Sequence, residues 1–368
     1  MKRILHIVGG MDRAGAETMI MNLYRCIDRD KFQFDFLYFT NKGCDFDEEI
    51  KQLGGKIYRI TATNPLKRMK ATQDLLQSNP QWKTVHCHML FSNAFHLYAG
   101  YKAGVKQRIS HSHNTSDESR NKLVSKIYQG LSRKFQLKYA TDFVACGVEA
   151  GKFLFPTIKE VPVIPNSVDV QQFADKAAQS KNHLKNEFSL AEDTLILLQL
   201  GRLSQQKNHD FSIEIAKALK DQKINFNLFF AGEGNLEEDI KTKVKAAGLN
   251  EQIKFLGLRT DIAELLGGSD LLLMPSLHEG FPVVLVESQA AGTPALIADT
   301  ISSEVDLGVN LITFESLTAS AKIWAEQISK SIVQGKSATK TRIDILKHEG
   351  FDIFANVKRL EKLYTQTK

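Results

Sequence analysis

One stretch in the second half of the sequence limits the possible folds more than any other. Residues 270–274 form a short apolar run that is typical of a buried strand, and residues 295–298 form a second one. Between them, Pro282 suits the first position of a helix and Gly292 suits its C-terminal cap. Alternation of strand and helix is typical of a parallel sheet covered on both faces. The stretch therefore predicts an α/β fold.

The loop and helix of this stretch also carry chemically useful groups. Because helical side chains lean toward the N-terminus, Glu287 can face the same opening as Glu279 in the loop. The backbone N–H groups at the helix start are unpaired and can bind an anion. They belong to residues that include Gly280, Phe281, Val283 and Val284. Two carboxylates beside an anion site suit a ligand with hydroxyls and phosphate, although an ordinary loop with two unrelated acids fits the spacing equally well.

Three parts of this stretch resemble the E-x7-E signature of retaining glycosyltransferases of family 4. They are Glu279-Gly280-Phe281, Glu287 after seven intervening residues, and Ala291-Gly292-Thr293-Pro294. The family, also called glycosyl transferases group 1, includes enzymes of capsule and exopolysaccharide biosynthesis. The resemblance implies the GT-B fold, in which two Rossmann-like domains with doubly wound parallel sheets face each other across a cleft. It implies an acceptor-side domain at 1–168, a nucleotide-sugar domain at 169–351, and a final helix within 352–368 that returns to the first domain.

Length and composition are consistent with two such domains. At 368 residues, the chain is long enough for two separate cores. After Lys2-Arg3, the apolar run from Ile4 to Gly9 is too short for a signal peptide or a membrane span. The four cysteines form no CxxC pair, so we expect free thiols in a reducing cytoplasm rather than a zinc site. We therefore predict a cytoplasmic protein.

A glycine-bearing turn follows the first predicted strand. In a doubly wound sheet, such a turn brings backbone amides near a phosphate. Its glycines do not follow the G-x-G-x-x-G spacing of a dinucleotide site, and Ala16-Glu17 stands where a P-loop needs Lys-Ser/Thr. A tight turn without a ligand is an equal alternative. Residues 14–17 (Ala-Gly-Ala-Glu) are similar to the family's Gly-Gly-Ala-Glu segment, and this resemblance implies a donor-binding role for Gly15.

Two histidines, His111 and His113, follow one another at i, i+2 on an extended segment. They could bind a metal, but no cysteine or carboxylate cluster nearby completes a site, so we expect none. A histidine at a strand end is often structural. In the family, however, a histidine after this strand lies beside the donor sugar, and His113-Asn114 matches it best. The resemblance implies that His113 belongs to the active site and that His111 points elsewhere.

Arg202 and Lys207 flank a predicted strand-to-helix loop in the second half. Two cations and the helix amides can hold a diphosphate at such a place, although both side chains could also be simply solvated. The segment is similar to the family's Gly-Arg-Leu…Lys-Asn motif, which implies the functional role. In relatives, the backbone after a Phe-x-Gly like that at residues 255–257 holds the nucleotide base. By this resemblance, Leu258 and Arg259 are expected at the donor site.

The resemblance implies a retaining glycosyltransferase. Its donor is expected to be a nucleotide-sugar, specifically a UDP-sugar, and its acceptor a glycan or lipid-linked intermediate of a surface polysaccharide. Glu279 would hold hydroxyls of the donor sugar, Glu287 the ribose hydroxyls, and His113 a sugar hydroxyl near the reacting carbon. We expect no cofactor, no metal requirement and no nucleic-acid partner. Two alternatives stay open: a UDP-sugar epimerase of the same fold, and a non-catalytic protein that only binds a nucleotide-sugar.

Charge is uneven between the two halves. Residues 1–168 contain 25 Lys and Arg residues against 15 Asp and Glu residues, a net charge of +10, whereas the remainder has a net charge of −4. Residues 119–140 contain six cations and no acid, and an apolar residue recurs at every fourth position: Leu123, Ile127, Leu131, Phe135 and Tyr139. One interpretation places this stripe in the domain core. The other predicts peripheral contact with an anionic membrane, on the inner face of the cell membrane.

Overall fold

Each half of the chain forms its own parallel six-stranded sheet. The computed structural model describes residues 1–114, 123–333 and 338–366. The chain divides into two units, one made of Met1–Ser167 with Ile353–Lys368 and the other of Val168–Asp352. α-Helices connect successive strands in both units, except that a 3-10 turn at Ser303–Val305 lies between the last two strands of the second unit. The predicted pair of doubly wound α/β sheets is therefore confirmed.

The strands of the first unit are β1 (Lys2–Ile7), β2 (Phe32–Tyr38), β3 (Ile57–Arg59), β4 (Thr84–Cys87), β5 (Gln107–Ser112) and β6 (Asp142–Ala145). The helices are α1 (Gly15–Cys26), α2 (Asp47–Gln52), α3 (Pro65–Gln77), α4 (Asn93–Lys102), α5 (Leu123–Tyr139), α6 (Val148–Leu154) and the C-terminal α15 (Ile353–Thr365). The strand order is β3-β2-β1-β4-β5-β6. Every residue of β2 is buried, as expected for a parallel strand covered on both faces.

The strands of the second unit are β7 (Leu195–Leu200), β8 (Phe226–Ala231), β9 (Ile253–Gly257), β10 (Leu271–Met274), β11 (Ala295–Ala298) and β12 (Ile312–Glu315). The helices are α7 (Val170–Gln179), α8 (His183–Glu187), α9 (His209–Asp221), α10 (Glu237–Ala246), α11 (Ile262–Gly267), α12 (Val283–Ala291), α13 (Ala321–Val333) and α14 (Thr339–His348). The strand order is β12-β11-β10-β7-β8-β9.

The order of strands reverses between β1 and β4 in the first sheet and between β7 and β10 in the second. At such a reversal, the loops that follow the two neighbouring strands leave in opposite directions and open a crevice at the carboxyl edge. The loop after β7 carries Arg202 and Lys207, and the loop after β10 carries Glu279. The topology therefore brings these predicted site residues to one edge of the second sheet.

The C-terminal helix α15 packs into the first unit. Its Tyr364 is fully buried, and the Tyr364 hydroxyl lies 2.9 Å from Nδ1 of His86 on β4. The Gln107 side chain at the start of β5 donates a hydrogen bond of 2.8 Å to the carbonyl of Leu363. These contacts attach α15 to β4 and β5 of the first unit.

Asp35 on β2 is a buried hydrogen-bond centre of the first unit. Its carboxylate accepts from Arg3 Nε (2.7 Å), from the Lys56 amide (2.9 Å) and from Trp82 Nε1 (2.7 Å), and it also pairs with the Arg3 Nη2 group. Both carboxylate oxygens are used. This one side chain ties β2 to β1 and to the segments that precede β3 and β4.

The basic helix α5 presents most of its apolar stripe to solvent, and only the last member, Tyr139, is half-buried against the core. Leu123 is 75% exposed, Leu131 53% and Phe135 46%. The buried side chains of α5 are Ser132 and Gln136, which are polar. The interpretation that the apolar stripe faces the domain core is therefore wrong, because the buried face is the polar one. The predicted start of this helix at residues 119–122 lies outside the described residues.

The buried polar face of α5 is satisfied by hydrogen bonds. The Ser132 hydroxyl donates to the carbonyl of Phe91, and Gln136 accepts a bond of 2.7 Å from the Ser110 hydroxyl. Its amide donates to the carbonyl of Leu90 at 3.1 Å. Because each buried polar group has a partner, the helix can bury this face without a large desolvation penalty.

Two further expectations concern cysteines and membrane spans. None of the four cysteines, all of which lie in the described ranges, forms a disulfide; Cys87 and Cys146 are buried, and Cys26 and Cys44 are half-buried. Within the described part of the chain, no helix combines the length and apolar character needed to span a bilayer.

We predict that Asp35→Asn destabilises the first unit strongly. An amide offers one acceptor oxygen where the carboxylate offers two, so about two of the four donors lose their partner. Each buried donor left unpaired costs about 1–3 kcal/mol, so the free energy of unfolding should fall by at least about 2 kcal/mol in urea titrations. The control is Asp74→Asn, which breaks only an exposed pair with Lys70 and should cost under about 1 kcal/mol. Equal losses in both variants would contradict the central role of Asp35.

Candidate functional site

The loop after β10 leads directly into α12. Pro282 is the N-cap of α12, whereas the sequence predicted it at the first helical position, which is one residue later. Gly292 is the C-cap, as predicted, with a φ of 83°. The amides of Val283 and Val284 donate no hydrogen bond to a described residue. Both N–H groups are therefore available to an anion at this helix start.

Lys207 and Glu279 form an ion pair across the loops that follow β7 and β10. The distance between Lys207 Nζ and Glu279 Oε1 is 2.7 Å, and the side chains are only 15% and 8% exposed. Gln206 supports the pair, since its side-chain amide donates to the carbonyl of His278 (2.9 Å) and to the second carboxylate oxygen of Glu279 (3.3 Å). The structure therefore joins two residues that the sequence assigned to the same site although 71 residues separate them.

Two glycines make room for this arrangement. Gly201 follows β7 with a φ of 138°, and a Cβ there would lie 2.7 Å from Cε of Lys207. Gly232 follows β8 with a φ of 144°, and a Cβ there would lie 2.1 Å from the carbonyl oxygen of Gly201. The Lys207 side chain thus passes directly over the backbone of Gly201, which in turn rests on Gly232. No larger residue fits at Gly232 without moving this backbone.

Asn208 fixes the C-terminal end of the loop between β7 and α9. It has left-handed backbone angles (φ 55°, ψ 47°), and its side-chain amide donates to the carbonyl of Pro275 at 3.0 Å. The Gln199 side chain donates to the carbonyl of Lys207 at 2.8 Å. Asparagine tolerates the left-handed region better than most residues, which explains the asparagine immediately before α9.

The other predicted charges of this edge are Arg202 and Glu287. The Arg202 side chain is exposed and forms no ion pair with any described acid. Glu287 is half-buried on α12, about one and a half helical turns after Pro282. The structure therefore brings Lys207 and Glu279 into direct contact and leaves Arg202 accessible on the same loop as Lys207.

Leu258 and Arg259 follow β9 and differ in accessibility. Leu258 is 44% exposed. The Arg259 guanidinium forms ion pairs with Glu187 (2.7 Å) and Asp261 (2.6 Å). Its hydrogen bonds to Asp261, with a further one from His183, lower the pKa of the Asp261 carboxyl well below its ordinary value. The Arg259 side chain is thus committed to a local charge network, so only the backbone at this position can serve the expected contact with a nucleotide base.

In the first unit, Gly15 is the first residue of α1 and is exposed. The N-cap residue Ala14 provides no side-chain hydrogen bond, so the first amides of α1 are not capped by it. A Cβ at Gly15 would meet no atom within 4 Å. Within the described residues, nothing in the packing of α1 therefore requires glycine at this position.

His113 belongs to a cluster of five histidines on neighbouring strands. The members lie on β1, β4 and β5 or just beyond them: His6, His86, His88, His111 and His113. The His111 and His113 rings stack with their centroids 4.1 Å apart. The expectation that His111 points elsewhere is therefore wrong, because residues i and i+2 of a strand share a face.

These rings and Tyr364 form one chain of close nitrogen and oxygen contacts. Three contacts join histidines directly: His111 Nδ1 to His86 Nε2 (3.1 Å), His6 Nδ1 to His88 Nε2 (3.0 Å), and His88 Nδ1 to His113 Nε2 (2.8 Å). The Tyr364 hydroxyl links His86 (2.9 Å) with His6 (3.4 Å). Tyr364 of α15 thereby connects the contacts of His86 and His111 with those of His6, His88 and His113.

Burial keeps the histidines of the cluster neutral. Loss of hydration lowers the pKa of His6 to about 3 and that of His113 to about 4. The same cause, reinforced by the neighbouring rings, lowers the pKa of His86, His88 and His111 well below the ordinary value. His113 therefore acts near pH 7 as a neutral ring with one donor and one acceptor.

Sequence reasoning missed His6, His86 and His88 as neighbours of His113. A signal was present, since His86-Cys87-His88 repeats the i, i+2 spacing of His111-Ser112-His113 on another strand. The two pairs meet because β4 and β5 are adjacent and in parallel register, with Cys87 opposite Ser110. Strand adjacency, which spacing along the chain does not reveal, assembles the cluster.

Comparison with known proteins identifies the family. The family model for glycosyl transferases group 1 matches residues 180–331. The protein named as the glycosyltransferase EpsF of Bacillus subtilis (strain 168) is 38% identical over 370 residues, covering 99% of this chain and 96% of EpsF. The chain belongs to the group 1 glycosyltransferases.

Two further relatives of this group 1 glycosyltransferase carry more specific names. The capsular polysaccharide biosynthesis glycosyltransferase CapH of Staphylococcus aureus is 26% identical over 382 residues and 99% of both chains. The UDP-Gal:alpha-D-GlcNAc-diphosphoundecaprenol alpha-1,3-galactosyltransferase of Escherichia coli is 26% identical over 318 residues, covering 79% of this chain and 81% of the relative.

A solved structure supports the fold of this group 1 glycosyltransferase. Anabaena Alr3699/HepE in complex with UDP superposes with a TM-score of 0.79 at 17% identity, covering 99% of this chain and 100% of HepE. Together with the two parallel six-stranded sheets, this likeness confirms the GT-B fold expected from the sequence.

We predict that Gly232→Ala destabilises this glycosyltransferase severely, because the new methyl group would overlap the carbonyl of Gly201. The positive φ costs about 1–2 kcal/mol by itself, and a methyl group forced into occupied space adds about 1–3 kcal/mol. The control is Gly308→Ala, which has a positive φ of 74° but open space around it. Urea unfolding should show a clearly larger loss for Gly232→Ala. A similar loss in both variants would mean that the contact between the two glycines is not restrictive.

Proposed function

We propose that this glycosyltransferase is a retaining enzyme that moves a sugar from a UDP-sugar to a glycan or lipid-linked acceptor in surface polysaccharide synthesis. The observation that carries the proposal is the Lys207–Glu279 pair, which lies at the switch point of the second sheet beside the unpaired amides of α12. The donor class is supported by UDP in the HepE complex and by the UDP-Gal donor in the name of the E. coli relative. The capsular relative supports the polysaccharide context.

The diphosphate would bind where positive charge converges. Arg202 is accessible, Lys207 is held in place by the Gly201 backbone, and the amides of Val283 and Val284 point out of a helix start. Breaking the bond between sugar and phosphate leaves a doubly charged nucleotide. The held Lys207 and the helix amides stabilise that developing charge without having to reorganise, and Arg202 adds further positive charge.

The acids would position the donor rather than attack it. One oxygen of Glu279 is paired with Lys207 and the other contacts Gln206, so the carboxylate is oriented to accept hydrogen bonds from sugar hydroxyls and is a poor nucleophile. Glu287 would hold the ribose hydroxyls. His113 and the amide of Gly15 are the candidate donor contacts of the first unit, and the backbone of Leu258 and Arg259 is the candidate contact for the base.

Retention follows if the acceptor attacks on the face from which the nucleotide departs. The bond between the anomeric carbon and the phosphate oxygen breaks, and the acceptor oxygen forms the new bond on the same face. The acceptor proton passes to the departing diphosphate. This route needs no protein nucleophile, unlike the double displacement of retaining glycosidases.

The test is alanine substitution at the two cations. Arg202→Ala and Lys207→Ala should each lower transfer by about 10²–10³-fold, since removing one fixed donor to a developing anion costs about 2.7–4 kcal/mol. Lys217→Ala is the control, because Lys217 pairs with Glu214 on α9, outside these loops. Turnover is measured with a panel of UDP-sugars. Wild-type rates in both cation variants would show that the diphosphate site is wrongly assigned.

The same assays distinguish the alternatives. An epimerase would convert a free UDP-sugar without any acceptor, and a binding protein would bind UDP tightly without transfer to any acceptor.

The effects of Glu279→Ala and Lys207→Ala on the transfer rate should not be additive. Because each variant removes the partner of the other, the double variant should lose less than the sum of the two single losses.

We further propose that transfer needs neither a metal ion nor a cofactor. The cations Lys207 and Arg202 and the helix amides provide the positive charge that a divalent ion supplies in other transferases. Transfer rates should therefore be unchanged in EDTA. Loss of activity in EDTA and its return with manganese would overturn this proposal.

Finally, we propose that α5 holds the enzyme at the inner face of the cell membrane. Its exposed stripe of Leu123, Ile127, Leu131 and Phe135 is unusually apolar for a surface helix, and Lys126, Lys134 and Lys138 are also exposed. No acid interrupts α5. Such a face suits anionic lipid, because the apolar side chains can enter the headgroup boundary while the lysines remain near the phosphates.

Flotation with vesicles tests this contact. The wild-type chain should bind vesicles rich in anionic lipid, and added salt should weaken binding. Exchanging Lys126, Lys134 and Lys138 for Gln should weaken it by about 100-fold, since each lysine contributes about 1 kcal/mol. The control exchanges three exposed lysines elsewhere in the first unit: Lys51, Lys67 and Lys83. Equal flotation of both triple variants, or UDP affinity lost together with flotation, would rule out α5 as the anchor.

A further inference from the structure

The histidine cluster contains a group with the geometry of a metal site. His88, His111 and His113 each offer a ring nitrogen, and these three atoms lie within 4.8 Å of one another. The backbone places them, because His88 extends β4 by one residue beside His111 on β5, and His113 follows on the same face. Three imidazoles therefore converge at the carboxyl edge of the first sheet without any carboxylate or thiolate among them.

Hydrogen bonding alone does not satisfy this group. Nε2 of His111 and Nδ1 of His113 are buried and have no partner among the described residues. They are the two ends of the chain of contacts through Tyr364. A neutral imidazole carries one donor and one acceptor. When the hydrogen bonds all run in one direction along the chain, one end leaves a buried N–H unpaired and the other end a lone pair. Each unpaired group costs about 1–3 kcal/mol.

The set of donors selects a class of ion. Neutral imidazole nitrogens suit zinc, copper and nickel, whereas magnesium and calcium prefer oxygen ligands. Three histidines with an open fourth position are also a known zinc geometry. Bonds of 2.0–2.1 Å to a tetrahedral zinc ion separate ligand nitrogens by about 3.3 Å. Nδ1 of His88 and Nε2 of His113 lie 2.8 Å apart, so a small opening of this contact would admit the ion.

Neighbouring rings can orient the ligands. Histidines that bind a metal through one nitrogen generally donate the other N–H to a second group. Nε2 of His88 lies 3.0 Å from His6, and Nδ1 of His111 lies 3.1 Å from His86. His6 and His86 are fully buried, while His88 and His113 are half-buried. An ion can therefore enter from the side of His88 and His113 and meet rings already held from behind.

We propose that His88, His111 and His113 bind one divalent transition-metal ion of the zinc class, with the fourth position open to water. Binding replaces the contact between His88 and His113 and gives the unpaired nitrogen of His111 a partner. It also has a consequence for activity, which rests on the proposed role of His113. Zinc would occupy the nitrogen of His113 and inhibit transfer, so the enzyme would need no metal and yet be sensitive to one.

Direct binding measurements test the site without any sugar donor. The full chain without an added histidine tag is titrated with Zn²⁺ against a chromophoric chelator, and with Co²⁺ to record the absorption of a tetrahedral complex. We expect one zinc ion per chain. His88→Gln and His111→Gln should each weaken binding by about tenfold or more, because loss of even an orienting partner costs 10–100-fold.

The control is His96→Gln, which removes a buried histidine of α4 outside the cluster and should leave zinc affinity unchanged. Thermal unfolding verifies that each variant is folded. A wild-type chain that takes up neither zinc nor cobalt overturns the proposal whatever the variants do, and so does undiminished affinity in folded His88→Gln and His111→Gln.

Activity distinguishes this proposal from the proposed function. Zinc should inhibit wild-type transfer, and EDTA should restore it. If zinc binds but no UDP-sugar is transferred, the metal site stands and the proposed function fails. If transfer occurs and no zinc binds, the proposed function stands and the metal site is wrong.

Discussion

The ion pair between Lys207 and Glu279 is the interaction on which the second unit's candidate site depends. Two charges that are 15% and 8% exposed lose much of their hydration, and their mutual attraction must offset that loss. The geometry that permits this comes from the backbone, since Lys207 crosses Gly201, and Gly201 rests on Gly232. The charged pair is thus supported by a close backbone contact between Gly201, in the loop after β7, and Gly232, in the loop after β8.

The first unit stabilises its buried polar groups in a different way. Its cluster of five histidines carries no charge near pH 7, because burial lowers the pKa of every ring. Charge in the interior is instead concentrated at Asp35, which is surrounded by Arg3, the Lys56 backbone amide and the Trp82 indole N–H. The excess positive charge of this half remains at the surface, where it includes the lysines of α5. The first unit therefore combines a neutral histidine cluster in its interior with an excess of cations on its surface.

Helix α5 shows the limit of periodicity as a guide. Spacing in the sequence correctly groups Leu123, Ile127, Leu131 and Phe135 on one side of a helix. It does not reveal which side is buried, since that depends on what the rest of the unit offers. Around α5 the neighbours offer the Phe91 carbonyl and the Ser110 hydroxyl. Ser132 and Gln136 can therefore be buried at little cost, and the apolar stripe is left outside.

The sequence by itself determined the alternation of strands and helices, the glycine cap of α12, and the family to which the signature at Glu279 and Glu287 belongs. These features are local, because turn chemistry, helix caps and motif spacing all act within a few residues. Only the tertiary structure decided that Lys207 pairs with Glu279, that Arg259 is held by Glu187 and Asp261, and that histidines from three strands meet. Such contacts depend on which strands become neighbours, and strand order is fixed by packing of the whole unit rather than by spacing along the chain.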